Sequence, residues 1–156
     1  MQKKRPYRFR KAVLLDVKSI HSLVNDYASK DKMLPLSLHD VFESLRDFHI
    51  CVFRNRVVGV CALHVTWKGL AEIRSLAVAG GFQGNGIANA LVRKSLAEAR
   101  RLGVKEVFAL TYCPAFFEKI GFKEVDKAKL PHKVWADCIR CQHFPDCNEV
   151  AVKRNL

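Results

Sequence analysis

The sequence predicts an α/β fold, a β-sheet with helices layered on both faces. Three observations predict it. Strand-like runs rich in β-branched residues crowd the middle of the chain, helical periodicities flank and interrupt them, and the strand-like runs are apolar almost throughout rather than alternating.

The first strand is expected over residues 7–13. Asp16 is placed to cap a helix in which Val17, Ile20, Leu23, Val24 and Tyr27 recur at helical spacing. A loop around Met33-Leu-Pro-Leu leads to Ser37, a second cap, and to a short helix through Val41, Leu45 and Phe48. Residues 49–54 and 57–67 read as strands joined by an Asn55-Arg56 hairpin, and residues 71–78 as the fourth strand. A glycine-rich turn over 79–86 opens a long helix, 87–102, which Gly103 stops. The fifth strand is 106–111. Pro114 starts a short helix through Phe117 and Ile120, ended by Gly121. The tail is irregular in pattern, with weak strands expected near Val134 and at 149–153.

The 156 residues, 49% of them hydrophobic, suffice for one core, so a single domain over 1–156 is expected. No apolar run approaches the roughly 18 residues that cross a bilayer, and the start lacks a secretory signal's apolar stretch. The expectation is a cytoplasmic protein with no membrane partner. A net charge of +12 favours an anionic partner: nucleic acid, a phosphorylated cofactor, a carboxylate substrate or a membrane headgroup, among which charge alone does not choose. The basic run Lys3, Lys4, Arg5, Arg8, Arg10 and Lys11 reads as a solvated tail plus strand edge. Nucleic acid is disfavoured, because no basic stripe interleaved with aromatics is present.

The most informative segment is Gln83-Gly84-Asn85-Gly86-Ile87-Ala88, between a buried strand and a long helix. There the unpaired N–H groups of the first helical turn and the helix dipole converge on one spot suited to an anion. Glycine at 84 and 86 removes side chains that would hold a pyrophosphate away, and Ala88 keeps the first turn small. The alternative is a plain strand-to-helix connection using glycine for its backbone freedom. A P-loop is excluded, since Gly86 is followed by Ile87-Ala88 rather than Lys-Ser/Thr, and a dinucleotide fingerprint lacks its third glycine.

Leu76-Ala-Val-Ala-Gly-Gly-Phe-Gln-Gly-Asn-Gly-Ile-Ala88 resembles the acyl-CoA motif of the GNAT acetyltransferases. Phe116-Phe-Glu-Lys-Ile-Gly-Phe122 resembles the second signature of that superfamily. The segments at 71–78, 108–111 and 130–135 look more specifically like the short, stand-alone bacterial N-acetylglutamate synthases. The resemblance implies a mixed sheet splayed between the fourth and fifth strands and flanked by helices, with the pantetheine arm of acetyl-CoA in the gap. It implies cofactor contacts from the backbone of Leu76, Ala77 and Val78 and from residues 83–88, and acetyl transfer to the α-amine of L-glutamate in arginine biosynthesis. Acetyl-CoA and a small amino acid are thus the expected partners, with a homodimer left open. A protein or peptide amine is the alternative acceptor, and a basic nucleic-acid module the remote one.

An ammonium acceptor must lose a proton before it attacks, and the leaving thiolate gains one. Glu72 is the expected base, acting through water, with Arg74 on the same strand face to tune it or bind a carboxylate; a structural ion pair is the alternative for both. Phe117 stands where many superfamily members place tyrosine, so Thr111 or Tyr112 would supply the hydroxyl. The resemblance points to Lys133, Arg140 and Arg74 for the acceptor's carboxylates. Leu36 departs from it, standing where the family segment would carry an arginine, and Lys32 or Arg46 would have to compensate.

The six cysteines are expected to be reduced. Cys51, Cys61 and Cys113 read as small core residues. Cys138, Cys141, His143 and Cys147 have ligand types suited to zinc, but their spacing is cramped and packed thiols are the preferred reading, with no metal needed for the chemistry.

Overall fold

The structure, a computed structural model, describes residues 6–130 and 149–156. Among the described residues seven strands form one mixed sheet: β1 Arg8–Lys11, β2 Phe48–Phe53, β3 Arg56–Trp67, β4 Leu70–Val78, β5 Glu106–Thr111, β6 Lys123–Val125 and β7 Val150–Asn155. Their order across the sheet is β1-β2-β3-β4-β5-β7-β6. The helices are α1 Val17–Ala28, α2 Leu38–Glu43, α3 Ile87–Arg101 and α4 Pro114–Glu118. The chain divides into two compact units, one running to Ala62 and including Ser75–Ser95, the other comprising Leu63–Arg74 and everything from Leu96 onward.

In the first unit the period-two rule sorts β2 and β3 into two buried faces. Phe48 pairs with Ala62 and Ile50 with Val60, and these residues join Val17, Ile20, Val24, Val41 and Leu45 of the helical side in one core. On the opposite face His49 pairs with Cys61 and Cys51 with Gly59, beneath the start of α3. A Cβ at Gly59 would lie 2.8 Å from Ile87 Cγ2 and 3.1 Å from Leu91 Cδ1, so glycine there lets α3 settle onto the strand. Ser95 of α3 satisfies the polar groups on that face, 3.3 Å from His49 Nδ1 and 3.5 Å from Cys61 Sγ. Both faces being covered is why these strands read as apolar runs.

In the second unit β4 and β5 run parallel, with Leu70, Ala71 and Glu72 opposite Glu106, Val107 and Phe108. β7 lies antiparallel between β5 and β6. Leu70, Phe108, Leu130 and Ala151 form its core, with Leu110 and Val125 against it. The rings of Phe117 and Phe122 meet edge to face, 5.2 Å apart. Pro114 opens α4 as expected, and left-handed Gly121 follows it.

Four expectations are corrected. The hairpin turn is Arg54-Asn55, both in the left-handed region at 48° and 62°, with Arg56 already paired to Phe53. Phe48 belongs to β2, not to the preceding helix, because its burial serves a strand as well as a helical stripe. Asp16 does not cap α1. The helical path starts a turn earlier at Leu14–Asp16, and the Asp16 carboxylate accepts from the Val13 amide at 2.7 Å and pairs with Arg10 at 2.7 Å. Burial alone would raise that carboxyl; the Arg10 and Val13 hydrogen bonds outweigh it and hold Asp16 below the usual range. Cys113, finally, is exposed at the mouth of α4, while Cys51 and Cys61 are buried as expected.

The sequence missed β6, Lys123–Val125, and β7 ends at Asn155 rather than at 153. Ser37 caps α2 as predicted, its hydroxyl accepting from the Asp40 amide while Asp40 answers the Ser37 amide. Among the described residues no helix is long and apolar enough to cross a membrane. The weak strand expected near Val134 lies outside the described residues.

Candidate active site

In the first unit β4 ends at Val78 and α3 begins at Ile87, so the glycine-rich turn does connect a strand to a helix N-terminus. Gly81, Gly84 and Gly86 all take left-handed φ, 84°, 77° and 77°, which a side chain would strain. A Cβ on any of them would meet nothing within 4 Å. The backbone thus lies open where it faces outward, while Ile87, only 2% exposed, plugs the turn into the core beneath. An anionic diphosphate would suit this surface: open backbone, small residues and the N–H groups of a helical first turn, which have no acceptor within the helix. Leu76, Ala77 and Val78 belong to the same compact unit as Gln83, Gly84, Asn85, Gly86, Ile87 and Ala88.

The turn is held by three pegs. The Phe82 ring packs on Phe53 at 5.4 Å between centroids. Asn85 Nδ2 donates to the carbonyls of Phe82 and Gln83, at 3.0 and 3.3 Å. Gln83 Nε2 donates to the Tyr27 hydroxyl at 2.7 Å, and that hydroxyl donates in turn to the Val78 carbonyl. Tyr27 was read from the sequence only as one apolar position of α1, since nothing local marks a partner more than 50 residues away.

The second unit holds the acid–base candidates. Glu72 and Arg74 share a face of β4 and form an ion pair, Arg74 Nε to Glu72 Oε2 at 2.7 Å, with the carboxylate side chain 12% exposed. Ser75, the next residue in the chain, sits at φ 51°, a left-handed kink inside a strand at a non-glycine position. Thr111 ends β5, and its Oγ1 accepts from the Cys113 amide at 2.9 Å, which leaves the hydroxyl proton to be donated. Tyr112 is exposed.

Sequence reasoning also missed Glu149. It immediately precedes β7, so strand alternation puts it on the side of Ala151, which the cross-strand pairs make the side of Leu110, Phe108 and Glu72. Burial pushes the Glu149 carboxyl up to about 7, the Glu72 charge adds to the rise, and Lys127 opposes it. The only sequence signal was its position at the start of a predicted strand. Lys133 and Arg140, and the set Cys138, Cys141, His143 and Cys147, lie outside the described residues. Among the described residues no cluster of metal-ligating side chains is present.

Comparison with known proteins now adds to this geometry. The family model "Acetyltransferase (GNAT) family" matches residues 15–122. An uncharacterized N-acetyltransferase of Chlorobaculum tepidum is 39% identical over 147 residues, covering 94% of this chain and 95% of the relative. An amino-acid acetyltransferase of Mycobacterium tuberculosis is 36% identical over 134 residues, covering 84% of this chain and 76% of the relative. Among solved structures, a Mycobacterium tuberculosis protein in complex with CoA superposes with a TM-score of 0.82 at 31% identity, covering 96% of this chain and 99% of that one. An N-acetylglutamate synthase of Neisseria gonorrhoeae, complexed with coenzyme A and N-acetyl-glutamate, superposes at 0.89 with 23% identity. This chain covers 36% of that larger protein, and at that identity the likeness speaks for the fold alone.

Proposed function

Because this chain belongs to the GNAT acetyltransferase family, we propose that it acetylates the α-amine of an amino acid, L-glutamate first among them, with acetyl-CoA as the acetyl donor. One observation carries the reading furthest: an open left-handed glycine turn at a helix N-terminus, in a chain 36% identical to an amino-acid acetyltransferase. The family match runs through both compact units, which supports treating 1–156 as one catalytic domain.

In this reading the backbone of residues 83–88 holds the pyrophosphate, and that of Leu76, Ala77 and Val78 the pantetheine amides. Bound acetyl-CoA supplies a thioester-activated acetyl group; the chain orients it and manages protons. Glu72 takes one proton from the acceptor's ammonium through water. The freed amine nitrogen then bonds to the thioester carbon as the carbon–sulfur bond breaks. The second nitrogen proton is lost on forming the amide, and the thiolate gains a proton from the hydroxyl of Thr111 or Tyr112 or from solvent. Arg74, with Lys133 and Arg140, answers the carboxylates of the acceptor.

A screen of acetyl-CoA consumption across amino acids, glutamine, polyamines and peptide amines tests the assignment. Glutamate is expected to lead, with Lys133→Ala and Arg140→Ala raising its KM about tenfold or more, as loss of a charge-assisted hydrogen bond would. Glutamate inert beside an active peptide or cationic amine would discard the amino-acid reading and keep the fold and the donor.

A further inference from the structure

Four of the seven residues from 80 to 86 are glycine, and a glycine-rich turn loses much conformational entropy when it is fixed around a ligand. Its affinity for that ligand depends on what holds it in place beforehand. Phe82 anchors it through an apolar contact and Asn85 Nδ2 ties the turn to itself. Tyr27 holds it from the last turn of α1.

The phenol group has one proton to donate and lone pairs to accept. It donates to the carbonyl of Val78, the last residue of β4, and accepts from Gln83 Nε2 at 2.7 Å. The chain of hydrogen bonds therefore has one direction, Gln83 amide to Tyr27 hydroxyl to Val78 carbonyl. The Tyr27 ring is half-buried against the core shared by α1, α2 and β2, which fixes the hydroxyl in position. Two neighbouring features hold this end of α1 itself. Asn25 Nδ2 donates to the Leu36 carbonyl at 2.8 Å while its Oδ1 accepts from the Leu36 amide at 3.2 Å. Met33 and Leu36 pack on the same core as Tyr27.

We propose that Tyr27 is a positioning residue for acetyl-CoA, its single hydroxyl setting both the carbonyl that ends β4 and the first residue of the pyrophosphate turn. This rests on reading residues 83–88 as the cofactor's turn and is independent of the acceptor. Tyr27 acts through Gln83 and Val78 and need not touch the cofactor. Removing the hydroxyl leaves the ring packing, frees the Gln83 side chain and takes a donor from the Val78 carbonyl.

The test is kinetic and calorimetric. Tyr27→Phe should raise the acetyl-CoA KM and the CoA dissociation constant about five- to tenfold, the worth of roughly one hydrogen bond. The acceptor KM and kcat at saturating acetyl-CoA should stay within about twofold, a split that a general loss of folded protein would not produce. Gln83→Ala, at an exposed side chain, should give the same CoA effect. In the double variant the second change should add almost nothing, because both residues serve one linkage. If Tyr27→Phe folds poorly, Gln83→Ala alone still reads the linkage, and unchanged CoA affinity in it overturns the proposal.

Gly86→Val separates this proposal from the reading beneath it. If Gly86→Val loses CoA affinity and Tyr27→Phe does not, the turn holds the cofactor and Tyr27 does not position it. Should Gly86→Val keep full affinity, the turn itself has been misassigned.

Discussion

Replacing Glu149 by glutamine tests whether its carboxyl is held out of its ordinary range, and the magnitude follows from the structure. The carboxyl is pushed from 4.5 to about 7, first by burial and then by the Glu72 charge. That is about 2.5 pH units, and at ~1.36 kcal/mol per unit the ceiling is about 3.4 kcal/mol of native-state penalty. The side chain is only partly buried, so water screens it, and about 1–2 kcal/mol is the expected share. The direction is fixed by proton counting. Between pH 4.5 and 7 the unfolded chain has given up this proton while the folded chain retains it, so stability falls as pH rises. Below 4.5 both states are protonated and the contribution vanishes; above 7 both are ionised and the whole penalty is present. Urea unfolding of wild type and Glu149→Gln at pH 5, 6, 7 and 8 should therefore diverge. The variant should gain about 1–2 kcal/mol on wild type at pH 8 and little at pH 5. Lys127→Ala should deepen the wild-type fall and Glu72→Gln should shrink it, since those charges oppose and add to the rise. Parallel curves for wild type and Glu149→Gln across this range would refute the argument and return Glu149 to an ordinary surface carboxylate.

Two further predictions come from the strands. Glu72→Gln should lower kcat about a hundredfold while the acetyl-CoA KM holds within about twofold, as loss of a general base does; an unchanged kcat would reduce the pair with Arg74 to a structural tie. Gly59→Ala should cost about 1–3 kcal/mol in urea unfolding, because its Cβ would sit 2.8 Å from Ile87 Cγ2 and α3 would have to shift. A neutral result would mean that Ile87 and Leu91 move aside freely, and that glycine does not set the height of the helix.

The glycine-rich turn was legible because its signal is local. Strand, glycine turn and helix are contiguous in the chain, and the left-handed positions fall on glycines that any reader can count. The hairpin was legible in kind and misplaced by one residue, since Arg54 and Asn55 adopt positive φ without a glycine to mark it. Phe48 continued the helical spacing of Val41 and Leu45, and apolar spacing alone does not distinguish the end of a helix from the start of a buried strand. Glu149 was illegible for a different reason. Its environment exists only because β7 enters between β5 and β6, and no pattern in residues 150–155 announces which strands they separate.

The departure at Leu36 bears on how the acceptor is read. An arginine was expected there to hold a carboxylate, and the leucine packs instead on the core beneath α1 and α2, its amide and carbonyl both taken by Asn25. A residue so engaged is a structural part of the loop, so the loss of charge at 36 is built into the packing. Lys32 and Arg46, the candidates for compensation, are both exposed. Under the proposed function, recognition of carboxylates then falls to Arg74, already committed to Glu72 at 2.7 Å, and to Lys133 and Arg140. With one expected cation missing and another shared, the glutamate side-chain carboxylate should contribute less to binding than a fully charged site would give it. The comparison of glutamate with glutamine is consequently the sharpest part of the acceptor screen. A specificity ratio above about a hundred would show that two strong cationic contacts survive without an arginine at 36, whereas near parity would place recognition in the α-amino and α-carboxylate groups that the two substrates share.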